Sequence, residues 1–106
     1  MRLCGIADAL QLVGDRWALL ALREVGLGVR RFTDIQAHTG APRATLTARL
    51  RALEDGGLIE RRRYSERPPR DEYVLTPAGQ ELKPVLRGLR AWGERHASRR
   101  VRAQPS

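Results

Sequence analysis

Apolar positions recur along this chain with two different periods, and the switches between them set out an order of elements. The segment Ile6-Ala-Asp-Ala-Leu-Gln-Leu-Val13 reads as a short helix broken at Gly14. Asp15 is placed to cap a second helix over 16–25, in which Trp17, Leu20 and Val25 are expected to face the core, with Leu19 and Leu22 alongside. Gly26 and Gly28 end it. A third short helix covers 31–39, anchored by Phe32 and Ile35 and further by Ala37 or His38, and Gly40 stops it. In 41–55, Leu46, Leu50 and Leu53 stand at i, i+4 and i+7, one side of a helix of period 3.6. Pro42 suits its first turn, and Gly56 and Gly57 supply the left-handed backbone that ends a helix. Its other side carries Thr45, Thr47, Ala48 and Arg51, with Arg43 and Arg49 flanking.

Beyond the glycines the period changes. Residues 58–64 and 71–75 have strand-like stretches, separated by a turn-forming segment that holds Pro68 and Pro69. This predicts a hairpin with Arg67 and Arg70 in its loop and Arg61, Arg62 and Arg63 along its first strand. Thr76 before Pro77 then starts a helix over 77–97 that carries Leu82, Val85, Leu86, Leu89, Trp92 and Gly93. Pro84 inside it should bend the helix, unless the uninterrupted helix begins there. Residues 98–106 read as a basic, frayed tail.

The predicted fold is therefore mainly α with a small β-hairpin wing: one domain over 1–97, followed by a flexible basic tail over 98–106. Two short helices joined by a tight turn, then a basic hairpin, is the order of a winged helix-turn-helix DNA-binding domain. The helix after Gly40 would enter the major groove and the wing would touch the neighbouring backbone or minor groove. The plainer alternative is an amphipathic helix with a solvated basic face. The apolar stripe at Leu82, Val85, Leu89 and Trp92 is wide for a terminal helix and suits pairing with a second copy of the chain, or packing back on the first two helices.

Charge sharpens this picture. The chain has 106 residues, 42% hydrophobic, and a formal charge of +8. Residues 1–29 balance to zero, whereas 30–63 hold eight arginines against Asp34, Glu54, Asp55 and Glu60. The reading helix and first wing strand thus fall in a positive block, which favours a polyanionic partner through phosphate neutralisation. No run of eighteen apolar residues and no signal-peptide pattern is present, so membrane insertion and secretion are not expected. The single cysteine, Cys4, excludes an intramolecular disulfide framework and fits a reducing cytoplasm.

Isolated reactive side chains carry less. Trp17 has a base-stacking reading, but so apolar a helix favours a core role. His38 could be a ligand or phosphate contact, yet no second histidine or cysteine stands at metal spacing, and no cofactor is expected. Glu24, Glu54 and Glu60 read as solvated or helix-end charges. Nothing resembles paired catalytic carboxylates, a serine–histidine–acid set or a phosphate-cradling loop, so an enzyme is not expected.

The ordered set Cys4, Ala9-Leu-Gln-Leu-Val-Gly-Asp-Arg-Trp17, Leu22-Arg-Glu24, Arg30-Arg-Phe-Thr-Asp-Ile35, Leu46-Thr-Ala-Arg-Leu-Arg-Ala-Leu-Glu54, Gly57-Leu-Ile-Glu-Arg61, Pro68-Pro-Arg70 and Tyr73-Val-Leu-Thr-Pro-Ala-Gly79 resembles the HxlR-type branch of bacterial winged-helix transcription regulators, relatives of the MarR group. The resemblance covers positions 4 to about 96. It implies a homodimer formed through the N-terminal segment and the last helix, bound to a palindromic operator to repress or activate nearby genes. It places Pro42, Arg43, Thr45, Thr47 and Arg49 at or near DNA from the reading helix, and Arg67 and Arg70 from the wing. Several members of that family sense oxidants or electrophiles with an N-terminal cysteine, which makes Cys4, beside Arg2, a candidate redox sensor. Here Gly5 replaces the proline that commonly follows, and any disulfide would have to join two subunits or a small thiol. Two other readings stay open: a basic RNA- or ribosome-associated winged helix, and a winged helix that only docks proteins.

Overall fold

The computed structural model describes residues 4–103. The elements run α1 (Gly5–Val13), α2 (Arg16–Gly26), α3 (Phe32–Thr39), α4 (Arg43–Asp55), β1 (Ile59–Glu66), β2 (Pro69–Leu75), α5 (Pro77–Gln80), α6 (Lys83–His96) and α7 (Ser98–Ala103). Helices α2, α3 and α4 enclose the core, with Leu58 and Ile59 closing it from the base of the hairpin.

Asp15 caps α2 as expected, its Oδ1 accepting from the N–H groups of Trp17 at 2.9 Å and Ala18 at 3.1 Å. The buried stripe, however, is Ala18, Ala21, Leu22 and Val25. Trp17 and Leu20, expected in the core, are only half-buried, and Trp17 packs against the cluster from its edge. The alanines explain the rotation: α3 and α4 approach α2 closely along this seam, where a methyl fits and an indole does not. Arg16 instead stacks over the Trp17 ring at 4.7 Å.

Between α3 and α4 lie only Gly40, Ala41 and Pro42. Gly40 has φ +74°, a left-handed conformation that L side chains rarely adopt, and it turns the chain sharply enough to start α4 at once. Buried Ala41 donates its N–H to Thr39 Oγ1 (3.3 Å), and Thr39 Oγ1 donates to Ile35 O (2.8 Å). Pro42 is the N-cap of α4, one position before the turn expected for it. Leu46, Leu50 and Leu53 are fully buried, each contributing about 1.5–3 kcal/mol relative to exposure. Helix α4 closes in a Schellman arrangement, with Gly57 at φ +79°, Gly57 N donating to Glu54 O and Leu58 N to Leu53 O, both at 3.0 Å.

The hairpin is longer than the sequence suggested. Strands β1 and β2 pair antiparallel from Ile59 opposite Leu75 to Arg63 opposite Asp71, slip at Tyr64, and resume with Ser65 opposite Arg70 and Glu66 opposite Pro69. Pro69 is tolerated in the ladder because a two-stranded sheet has open edges. Tyr73 N donates to Arg30 O at 2.7 Å, and Thr76 Oγ1 donates to Gly57 O at 2.6 Å, so the wing is tied to the helical body at its base.

The helix expected over 77–97 is two helices. Thr76 caps α5 by accepting from Gly79 N at 3.2 Å, and Pro84 lies in the first turn of α6, where its missing N–H costs nothing. The stripe expected to pair with a second copy also divides. Leu82 and Leu86 pack on the core, leaving Val85, Leu89 and Trp92 outward. The expected frayed tail is helical over Ser98–Ala103, with Val101 N continuing the turn to Ala97 O. No helix among the described residues is long and apolar enough to cross a membrane.

Candidate nucleic-acid interface

With its three leucines turned inward, α4 exposes Pro42, Arg43, Thr47, Ala48 and Arg51, and Thr45 is half-buried. The Arg43 guanidinium rests 5.2 Å from the Phe32 ring centroid, a contact that orients the charge without neutralising it. Thr47 Oγ1 donates to Arg43 O at 2.9 Å. Its hydroxyl proton is engaged inside the helix, which leaves a methyl and an acceptor oxygen for an outside partner. Those suit a thymine methyl or a base amino group better than a phosphate. Arg51 continues the outward face and has no carboxylate partner among the described residues.

The arginines of the wing fall into two groups. Along β1, Arg62 Nε donates to Glu60 Oε1 at 2.6 Å, Arg63 Nε lies 3.4 Å from Asp71, and Arg61 Nε lies 3.8 Å from Glu54. The positive run seen in the sequence is thus balanced by acids that the hairpin and α4 bring beside it. Exposed pairs of this kind contribute about 0–1 kcal/mol each. Arg67 lies in the loop as expected, whereas Arg70, expected there too, is in β2 opposite Ser65 because the ladder runs further toward the tip. Both are exposed and have no carboxylate partner among the described residues. The fold therefore gathers Arg43, Thr47 and Arg51 on one helix face and Arg67 and Arg70 at the wing tip.

Arg49 does not join them. Its Nε lies 2.8 Å from Asp15 Oδ1, at an angle too oblique for a full hydrogen bond. That guanidinium is the main reason the Asp15 carboxyl is held below the usual range.

Glu24 is a second correction. Read from the sequence as a solvated or helix-end charge, it is only 5% exposed in the last turn of α2. Position 24 is three residues after Ala21, next to the buried stripe, a spacing that could have revealed it. Arg23 Nε donates to Glu24 Oε2 at 2.7 Å, and His38 Nδ1 meets Oε1 at 2.8 Å. His38 is thus not the core anchor offered as one reading but a half-exposed partner joining α3 to α2. Burial pushes the Glu24 carboxyl up, and the bonds from Arg23 and His38 outweigh it, so the group lies below its ordinary value of 4.5. As pH falls, the unfolded chain takes up this proton first, so the stabilisation present above about 4.5 is lost as pH drops through the folded value. Replacing Glu24→Gln should cost about 1–3 kcal/mol at neutral pH and flatten the acid limb of stability against pH. Thermal melts at a series of pH values measure both; an unchanged acid limb would remove Glu24 from this role.

Two further features lie away from α4. Val85 (58% exposed), Leu89 and Trp92 on α6, with Ile6 and Leu10 on α1, form apolar surface with no cover in a single protomer. Cys4 is the N-cap of α1, and the backbone N–H groups of Ala7 and Ile6 hold its thiol below the usual range, although neither closes to a formed hydrogen bond. Arg2, expected beside it, lies outside the described residues.

A helix pair joined by a three-residue turn, with a hairpin wing beside the second helix, defines a winged helix-turn-helix domain. The profile of the HxlR-like helix-turn-helix family matches residues 12–101, and the chain belongs to that family. It is 47% identical over 94 residues to an HTH-type transcriptional regulator of Mycobacterium tuberculosis whose own role is uncharacterised, covering 89% of this chain and 60% of that protein. It thus spans less than two thirds of that relative's length. The HTH-type transcriptional regulator YdeP of Bacillus subtilis is 33% identical, with 91% of this chain and 76% of YdeP covered. Among solved structures, the reduced form of the redox regulator HypR superposes with a TM-score of 0.80 at 27% identity, over 90% of this chain and 95% of HypR. The reduced transcriptional regulator YodB from B. subtilis superposes with a TM-score of 0.75 at 27% identity, over 92% and 97%.

Proposed function

We propose that this chain is a sequence-specific double-stranded-DNA-binding transcription regulator, acting in the cytoplasm as a homodimer on a palindromic operator. The observation that carries this reading is the gathering of Arg43, Thr47 and Arg51 on the outward face of α4, with Arg67 and Arg70 at the wing tip. The arginines on β1 are balanced by neighbouring acids, whereas those on the outward face of α4 and at the wing tip have no carboxylate partner among the described residues. In this reading Pro42 and Arg43 bring the N-terminal turn of α4 to the groove, and Thr45 and Thr47 meet base edges. Arg51 extends that face, and Arg67 and Arg70 reach the adjacent backbone or a narrowed minor groove. Selection of duplexes from a random-sequence pool, with structured RNA as competitor, tests it. Enrichment of a two-fold symmetric site supports the reading; equal capture of RNA and random duplex, or of neither, overturns it.

The homodimer rests on the exposed apolar side chains of α6 and α1, which a single protomer leaves uncovered. Two copies would present α4 to half-sites about 34 Å apart. Leu89→Asp should halve the mass seen by light scattering and weaken operator binding by tenfold or more, about 1.4 kcal/mol. A mass unchanged by that substitution sinks the interface. The opening of α1 also supports Cys4 as a redox sensor, in keeping with the similarity to the redox regulator HypR. A genome-wide footprint taken with and without diamide, in wild type and Cys4→Ser, decides it. A response that survives the serine removes Cys4 from this role.

A further inference from the structure

We infer that Arg49 acts as a positioning residue, holding the rotation of α4 through Asp15 and giving no contact of its own to DNA. The inference rests on the DNA-binding reading and refines it, because a resemblance to known regulators would place Arg49 among the residues at the duplex. Helical geometry argues otherwise. Position 49 follows Leu46 by three residues and precedes Leu53 by four, so Arg49 leaves α4 on the flank of the buried stripe that faces Asp15. From there its Nε reaches to 2.8 Å from Asp15 Oδ1. The two side chains are each 38% exposed, unlike the more open arginines of the wing.

The partner matters as much as the distance. The same Asp15 oxygen accepts the Trp17 and Ala18 N–H groups, so one atom joins the middle of α4 to the first turn of α2. Helix α2 in turn carries the buried seam against which α3 and α4 pack. Leucine packing sets how closely α4 lies against the core, and a tie placed off the helix axis adds to its resistance to rotation. A rotation of about 10° moves side-chain tips at a radius of about 5–6 Å by about 1 Å. That is enough to spoil a hydrogen bond to a base edge. An off-axis ionic tether to a neighbouring helix limits such a rotation directly.

Two substitutions separate positioning from contact, because the two roles predict opposite signs. Asp15→Asn keeps a good N-cap for α2 while removing the charge that holds Arg49. If Arg49 were a phosphate contact shielded by Asp15, Asp15→Asn would free the guanidinium, raise the positive charge and tighten binding. As a positioning pair, Asp15→Asn and Arg49→Met should each weaken binding to the selected duplex by about tenfold, and the double variant should be no worse than either single one. The dependence of affinity on salt should stay as in wild type, whereas loss of a phosphate contact lowers that slope by about 1 for each contact. Tighter binding by Asp15→Asn, or a reduced slope in Arg49→Met, overturns the inference and leaves the DNA reading intact. Failure of the wild-type chain to select any duplex overturns the DNA reading itself, and this inference with it, before a variant is made. Melting temperatures within a few degrees of wild type for both single variants are part of the expected result.

Discussion

Replacing Arg43 and Thr47 together by alanine is expected to weaken binding to a selected duplex by about a thousandfold without unfolding the domain. A well-formed arginine contact to a base or phosphate contributes about 1–3 kcal/mol, and a threonine contact somewhat less. In a two-fold assembly both losses occur twice, so about 4 kcal/mol, or a thousandfold in affinity, is a moderate expectation. The cost to folding is small. Losing the Arg43–Phe32 stacking removes about 0.5–1 kcal/mol, and alanine offsets part of it, being a better helix former than a threonine that bonds back to the Arg43 carbonyl. Electrophoretic mobility shifts and thermal melts on the same preparation check both halves. Binding within threefold of wild type would show that α4 is not the reading helix.

The largest effect on stability is expected at Gly79. A Cβ placed there would lie 2.1 Å from Leu58 O and 3.1 Å from a Leu75 methyl. The Leu58 carbonyl is backbone and already accepts the Thr76 N–H at 3.1 Å, so no rotamer change relieves the overlap. Gly79→Ala should therefore cost about 3 kcal/mol or more. That lowers the melting temperature of a domain this size by at least about 12 °C. The strain falls at the base of the wing, so DNA affinity should drop as well. Gly88 in α6 is the control for strain within one protomer: nothing of its own chain lies within 4 Å of its Cβ position. With both variants made in the Leu89→Asp background, Gly88→Ala should be neutral or stabilising by up to about 1 kcal/mol. Equal melting temperatures for the two variants would contradict the packing described at the wing base.

The periodic signals were legible where local chemistry decides structure. Leu46, Leu50 and Leu53 announced α4, the Asp15 and Thr76 caps stood where expected, and Gly57 took the left-handed backbone expected of it. Gly56, expected to share it, stays right-handed at φ −77° because a single left-handed residue closes the helix. Trp17 misled because so apolar a helix suggested burial, while close helix approach selected the alanines at positions 18 and 21. Pro69 misled because its place in the ladder depends on a free edge that only pairing reveals. Pro84 was ambiguous because a first-turn proline and a mid-helix proline look alike until the helix start is known.

The sequence by itself determined the order of elements, the helix bearing the hydroxyl and arginine face, and the excess of positive charge. These follow from spacings of a few residues and from composition, which no folding changes. Only the tertiary structure decided which charges remain available. Arg61 meets Glu54 across seven residues, Arg63 meets Asp71 across eight, and Arg49 meets Asp15 across thirty-four. Glu24 is buried because α3 brings His38 to it from fourteen residues away. Whether a charge faces a partner or the solvent depends on distances between elements, and those are set by packing of the core.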